Sequence, residues 1–208
     1  MDVCRDKLEQ GLNALSLDIG GERTDALMRF INLIAKWNKA YNLTAVRDPL
    51  EMVSLHILDS LAILPYLQAP RVADIGTGAG LPGIPLAVCL PDWHFTLVDS
   101  NSKKTRFVQQ AVLELKLKNV EVVHSRVELL QPEELFSTVI CRAFASMNDI
   151  LQLTGHLLAE DGVLLAMKGQ QPEQELIDLA ETYSVIPLTV PGIAAERCLI
   201  RLEKPKHG

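Results

Sequence analysis

The amino-acid sequence predicts an α/β fold: a seven-stranded, mostly parallel sheet with an antiparallel last strand, preceded by an N-terminal helical extension. Three observations predict it. From Val72 onward, short apolar runs alternate with helical stretches, the pattern of a parallel sheet covered by helices. Residues 1 to about 66 instead carry apolar side chains at spacings of three and four, with no strand alternation. The last two apolar runs are separated only by a short loop around Pro191-Gly192, too short for a crossover, so they should pair antiparallel.

The extension reads as a helical cap over residues 1–68, packed on a core of residues 69–208, because Gln68-Ala69-Pro70 is too short to be a free linker. Leu8, Leu12 and Leu15 share one helical face, with Gly20-Gly21 ending that helix. Leu27, Phe30, Ile31, Ile34, Trp37 and Tyr41 line a second amphipathic helix that starts from a Thr24 cap. Asp48-Pro49-Leu50-Glu51 supplies a capping residue, a proline at the first helical position and an acid at the third. Met52, Leu55, Leu58, Leu61 and Ala62 give this third helix its apolar face, and Pro65 closes it. In the core, strands are expected near 71–75, 94–99, 119–124, 137–142, 162–168, 184–190 and 196–203. Helices fill 81–90, 102–115, 147–158 and 173–183.

Composition narrows the class. With 208 residues, 48% of them hydrophobic, the chain can bury one α/β core plus a modest extension. No uncharged apolar run reaches the ~18 residues of a membrane span, and Met1-Asp2-Val3-Cys4-Arg5-Asp6 leads into no signal-type apolar core, so the expectation is a cytoplasmic protein with no membrane partner. Cys4, Cys89, Cys141 and Cys198 show no paired metal spacing and read as reduced, packed thiols, with no metal site. The net charge of −6 opposes nucleic-acid phosphate globally, so RNA contact must use local clusters. The candidates are Lys36/Lys39/Arg47, Lys103/Lys104/Arg106, Arg197/Arg201 and Lys204/Lys206, each of which alone is more often an ordinary solvated face than a binding patch.

The chemistry centres on Asp74-Ile75-Gly76-Thr77-Gly78-Ala79-Gly80, placed between the first strand and the helix that follows. Strand, glycine loop and helix in that order make a cradle for a nucleotide-like ligand, because the backbone can turn sharply and approach it closely. Alone, this pattern fits a structural turn or a dinucleotide fold as well as S-adenosylmethionine (SAM). The alternate glycines at 76, 78 and 80 depart from the dinucleotide spacing G-x-G-x-x-G, and Asp74 offers a carboxylate to a ligand ammonium, which favours SAM. Asp99 ends the second strand, where an acid accepts from ribose hydroxyls; it serves NAD equally, and it can also cap the helix beginning near Asn101. Ser125-Arg126-Val127-Glu128 follows the third strand, where backbone groups can hold an adenine edge and Val127 can pack on the ring. Cys141-Arg142-Ala143-Phe144-Ala145 follows the fourth, facing the reacting methyl: Arg142 for RNA phosphate or cofactor, Phe144 for stacking on a base. A buried arginine paired with an acid is the structural alternative for Arg142. Lys168, ending the fifth strand, adds a cation to the same cleft. His56 and His124 read as packed or structural rather than catalytic. An NAD-dependent oxidoreductase needs a further catalytic half, and no such segment is seen. A non-catalytic SAM- or RNA-binding regulator stays open.

Several blocks together resemble the RsmG (GidB) family of bacterial 16S rRNA guanine-N7 methyltransferases. They are Lys36-Trp37-Asn38-Lys39-Ala40-Tyr41-Asn42-Leu43-Thr44, His56-Ile57-Leu58-Asp59-Ser60, Asp74 through Pro85, Arg142-Ala143-Phe144-Ala145 and Lys168-Gly169-Gln170. The resemblance covers nearly the whole chain and implies a Rossmann-like class I SAM-dependent methyltransferase. By position it implies that Gly76 and Leu81 contact the cofactor, with Gly78 and Gly80 in the same loop, that Val127 and Glu128 lie at the adenosine, and that Arg142 lines the reaction cleft as the catalytic candidate. It further implies methyl transfer to N7 of one guanosine in 16S rRNA, either as naked rRNA or within the small ribosomal subunit, and not on DNA. Lys36, Lys39, Arg47, Phe144, Lys168 and Arg197 are then the expected RNA contacts.

Overall fold

The computed structural model of the chain describes residues 2–142, 146–177, 179 and 182–203. Two helices open it, α1 (Asp2–Ala14) and α2 (Gly21–Tyr41). A third helical segment begins as α3 (Pro49–Met52), widens to a π-helix over Val53–Leu58 and closes as α4 (Asp59–Leu61). The alternating part follows: β1 (Arg71–Ile75), α5 (Gly83–Cys89), β2 (His94–Asp99), α6 (Ser102–Leu115), β3 (Val120–His124), β4 (Phe136–Arg142), α7 (Met147–Thr154), β5 (Leu158–Lys168), α8 (Glu173–Ile177), β6 (Tyr183–Pro187) and β7 (Cys198–Glu203).

The strands form one seven-stranded sheet in the order β3-β2-β1-β4-β5-β7-β6. β1 pairs parallel with both β2 and β4, and β7 runs antiparallel to β5 and β6. The chain therefore moves outward from β1 to β3 and restarts on the other side of β1 at β4. That reversal opens a crevice at the carboxyl ends of β1 and β4, where open α/β sheets bind ligands.

Successive strand residues serve opposite faces, as the two-residue period requires. Val72, Ile140 and Leu165 join an apolar cluster with Leu27, Phe30, Ile31 and Ile34 of α2, Ile57 and Leu58, and Phe107 of α6. Ala73, Val139 and Leu164 join a second cluster with Met147 and Ile150 of α7. The N-terminal helices thus close one face of the sheet. Phe30 stacks on Phe107 at 6.3 Å, and Trp37 meets the same ring at 5.8 Å. Each fully buried ring of this kind contributes about 1.5–3 kcal/mol to holding α2 on α6.

Some local expectations are corrected. Thr24 does not cap α2: the helix starts a turn earlier, with Gly20 in the cap position at φ +75°, and the Thr24 hydroxyl donates to the Gly20 carbonyl at 3.0 Å. Gly20-Gly21 likewise does not end α1, which stops at Ala14 before a left-handed Ser16. Asp48 caps as expected, accepting from the Leu50 amide at 2.9 Å. β5 begins at Leu158 rather than near 162, because Phe136 pairs with Leu158 and the register then shifts so that Thr138 faces Val163. The exposed Glu160 and Asp161 and the turn-forming Gly162 sit in that irregularity and hide the early strand start from a reading of periodicity.

Candidate active site

The loop after β1 is shaped by its own backbone and by one buried acid. Gly76, Gly78 and Gly80 all hold positive φ, between +60° and +77°. At Gly80 a Cβ would also press to 2.7 Å from Ile84, so only glycine serves. Asp74 is buried, and its Oδ2 accepts from the Thr77 hydroxyl at 2.7 Å and from the Gly83 amide at 2.9 Å. One carboxylate oxygen thus ties the loop to the start of α5. The other, Oδ1, is buried with no partner. Burial pushes the Asp74 carboxyl up to about 6, against the bonds from Thr77 and Gly83 and the field of Arg142. An unpartnered buried carboxylate oxygen beside a loop of this shape fits a cationic ligand group, and the SAM ammonium is one.

Asp99 faces the same loop from the end of β2. Its Oδ2 accepts from the Gly78 amide at 2.9 Å and its Oδ1 from the Asn101 amide at 2.8 Å. Asn101 itself caps α6, accepting from the Lys103 and Lys104 amides. Asp99 therefore braces the loop and the cap, and retains acceptor capacity for ribose hydroxyls, since a carboxylate offers about four lone-pair sites.

A cleft of about 430 Å³ opens here, lined by Gly76, Asp99, Val127, Glu128 and Arg142 together with Ile75, Val98, Ser100, Lys104, Ser125 and Arg126. The expected residues divide. Gly76, Asp99, Val127, Glu128 and Arg142 line the cleft; Gly78, Gly80 and Leu81 are not among the lining residues, nor is the buried Asp74. Ile75, Val98 and Val127 beside the Asp99 carboxylate and a glycine turn fit an adenosine with an amino-acid tail.

A second cleft, of about 380 Å³, lies next to the first and shares Arg142 with it. Its lining includes His56, Asp59, Met167, Lys168, Gly169 and Arg197. Arg142 Nη1 donates to Asp59 Oδ2 at 3.3 Å, and Arg197 Nε donates to Asp59 Oδ1 at 3.2 Å. Arg142 is thus paired with an acid, as its structural alternative expected, and also lines both clefts. Burial raises the Asp59 carboxyl above its ordinary value, while Arg142 and Arg197 pull it back. His56 is buried, and desolvation lowers it to about 4, so it is neutral near pH 7. Thr44 Oγ1 lies 3.0 Å from His56 Nε2 and accepts from the Val46 amide.

The expected RNA contacts are dispersed. Lys36 and Lys39 are exposed on α2. Arg47 donates to the Asn38 carbonyl at 3.1 Å and to Asn42 Oδ1 at 3.0 Å, so it secures the end of α2. Lys168 pairs with Glu175 at 3.1 Å. Arg197 enters the second cleft, and Phe144 lies outside the described residues. His124 is exposed, with Nε2 3.1 Å from the Ser100 carbonyl. Cys89, Cys141 and Cys198 are buried, and burial raises all three thiols.

Sequence reasoning gave no role to Asp59, Asn38 or Gly83. Asp59 was detectable as a lone acid within the apolar stripe of Leu58, Leu61 and Ala62. Asn38 holds the Thr44–Val46 turn through bonds to the Thr44 and Val46 carbonyls and the Thr44 amide. A Cβ at Gly83 would meet Leu97 and come within 2.8 Å of Asp74 Oδ2, which explains the glycine at the start of α5.

The sheet order, the loop after β1 and the acid after β2 together define a class I SAM-dependent methyltransferase. Solved structures share that fold: a SAM-dependent methyltransferase from Aquifex aeolicus (TM-score 0.58, 18% identity, covering 76% of this chain and 94% of that one) and a putative O-methyltransferase from Klebsiella pneumoniae (TM-score 0.60, 12% identity, 84% and 89%). The family model for GidB, rRNA small subunit methyltransferase G, matches residues 23–200, and the chain belongs to that family. It is 50% identical over 197 residues to ribosomal RNA small subunit methyltransferase G of Methylobacillus flagellatus, covering 94% of this chain and 96% of that protein. The protein of the same name from Legionella pneumophila strain Corby is 50% identical over 193 residues, covering 93% of this chain and 91% of its own.

Proposed function

We propose that this protein transfers a methyl group from SAM to N7 of one guanosine in 16S rRNA of the small ribosomal subunit. The observation that carries the reading is the pair of adjoining clefts with Arg142 in the lining of both, one shaped for the cofactor and one for the acceptor. The relatives' name supplies the small-subunit rRNA; the resemblance of the sequence blocks supplies guanine N7.

When bound, SAM supplies a methyl group on a positively charged sulfur. Guanine N7 carries an in-plane lone pair and no proton, so its attack needs no general base. The N7–carbon bond forms as the carbon–sulfur bond breaks, the sulfur keeps that electron pair, and the positive charge passes to the base. The chain's task is alignment and exclusion of water. Asp99 is suited to accept from the ribose, Val127 to pack on the adenine and the Gly76 turn to let the backbone approach the ligand closely. Neutral His56 places no further cation beside the acceptor. The exposed Lys36 and Lys39 would meet RNA phosphate, local cations on a chain of net charge −6. A ribosomal substrate would place the enzyme in the cytoplasm.

The test is transfer of labelled methyl from SAM to small ribosomal subunits and to naked rRNA, followed by mapping of N7-methylguanine through chain scission. One methylated guanosine is expected. SAM and rRNA binding without any transfer would instead leave a regulator.

A further inference from the structure

We propose, resting on the function just stated, that Asp59 reads the acceptor base and is a specificity-determining residue of the second cleft. Asp59 opens α4, directly after the π-helical turn, and is 5% exposed. Its two oxygens each take one bond, from Arg142 and from Arg197, at 3.3 and 3.2 Å. A carboxylate has about four acceptor sites and a guanidinium five donors, so both groups retain capacity facing the cleft. The wall therefore presents a fixed donor, Arg142, beside a fixed acceptor, Asp59.

That order matches one purine. Guanine carries O6, an acceptor, next to the N1–H and N2 amine donors. With O6 on Arg142 and the N1–H side on Asp59, N7 lies on the far side of O6 from N1. Arg142 also lines the cofactor cleft, so this placement turns N7 towards the methyl donor. Adenine inverts the pattern: its N6 amine would meet the arginine donors and its N1 lone pair the carboxylate. A polar site rejects such an inversion strongly, because its own buried groups are left unpaired. Arg197 keeps the carboxylate from rotating away, holding it from the segment that leads into β7.

The experiment uses the full chain and 16S rRNA carrying guanosine, inosine or adenosine at the mapped acceptor position, assembled into small subunits where those are the substrate. Inosine keeps O6 and N1–H, so the wild type should methylate it within about 10-fold of guanosine and adenosine at least ~100-fold less well. Asp59→Asn replaces one acceptor oxygen by a donor at constant shape. Its kcat/KM for guanosine should fall at least ~30-fold, its guanosine-over-adenosine ratio should shrink, and its SAM affinity should stay within about threefold of the wild type. Asp59→Glu should regain part of the loss. Asp59→Asn with wild-type kcat/KM and wild-type selectivity overturns the proposal, as does an equal loss of SAM affinity and of transfer to every base, which marks a merely structural role. A wild-type enzyme that methylates none of the three bases overturns the function reading and this one with it.

Discussion

Gly76, Arg142 and Asp59 show how differently single residues of the site are encoded. Gly76 was legible because a glycine directly after a strand has a local reason, here φ +70°. Gly76→Val puts a β-branched residue in a left-handed conformation that it resists. We expect calorimetry to find SAM binding weakened at least ~10-fold, and an unchanged affinity would show that the loop does not hold the cofactor. Arg142 was legible from its place at a strand end, but its partner was not. Asp59 lies 83 residues away from it and 138 from Arg197, and no local pattern reports contacts of that range. Arg142→Ala strips the buried carboxylate of one of its two cations; such a loss costs on the order of 3 kcal/mol. The variant should unfold at lower urea than the wild type and transfer methyl poorly even at saturating SAM. A variant as stable as the wild type would mean that the pair is loosely held.

Whole elements were more legible than their ends, because apolar periodicity is a local signal repeated several times while a terminus is decided once. The strands and the antiparallel pairing of the last two follow from such repetition and from the short Pro191-Gly192 connection. The π-helix did not follow: Met52, Leu55, Leu58 and Leu61 keep a spacing of three that an α register accepts, and it gives no sign of the widening. Its consequence is functional, since π segments recur at functional sites and this one carries His56 and leads straight into Asp59. The Lys36–Thr44 block shows the reverse case: its lysines were expected to meet RNA, while its Asn38 builds a turn. Asn38, 2% exposed, holds three backbone groups of Thr44 and Val46, and Thr44 in turn reaches His56. Asn38→Ala leaves those groups short of partners, at a cost of about 1–3 kcal/mol. Chemical denaturation should show that loss, together with reduced transfer and an intact SAM affinity, because the turn borders the acceptor cleft and not the cofactor cleft. A SAM affinity that fell with it would mean that the two clefts are not separable.

At the scale of the whole molecule, the two faces of the sheet carry different burdens. The face under α2 and the π-helix buries polar and ionisable groups at its rim, among them Asp74 and His56, and their titrations oppose each other. Asp74 sits at about 6 in the fold against an ordinary 3.8, so the folded protein keeps a proton that the unfolded chain releases. Its contribution therefore favours the fold increasingly as pH falls from about 6 towards 4. His56 sits at about 4 against 6.5, so the unfolded chain takes up a proton that the fold refuses. Its contribution is fully present above 6.5 and is lost as pH falls towards 4. Each group can bend stability by up to about 1.4 kcal/mol per pH unit, with opposite sign, so the wild type conceals both between pH 4 and 6. Substitution separates them. Asp74→Asn should leave the His56 slope exposed and lose stability steeply on acidification. His56→Gln should leave the Asp74 slope and hold or gain stability over the same range. Urea unfolding of both variants at pH 4.5, 5.5 and 6.5 measures the two slopes, and slopes of the same sign would refute the opposition. The same Asp74 titration should appear in binding: a cationic ligand group prefers the ionised carboxylate, so SAM affinity should decline as pH drops below about 6 in the wild type and not in Asp74→Asn.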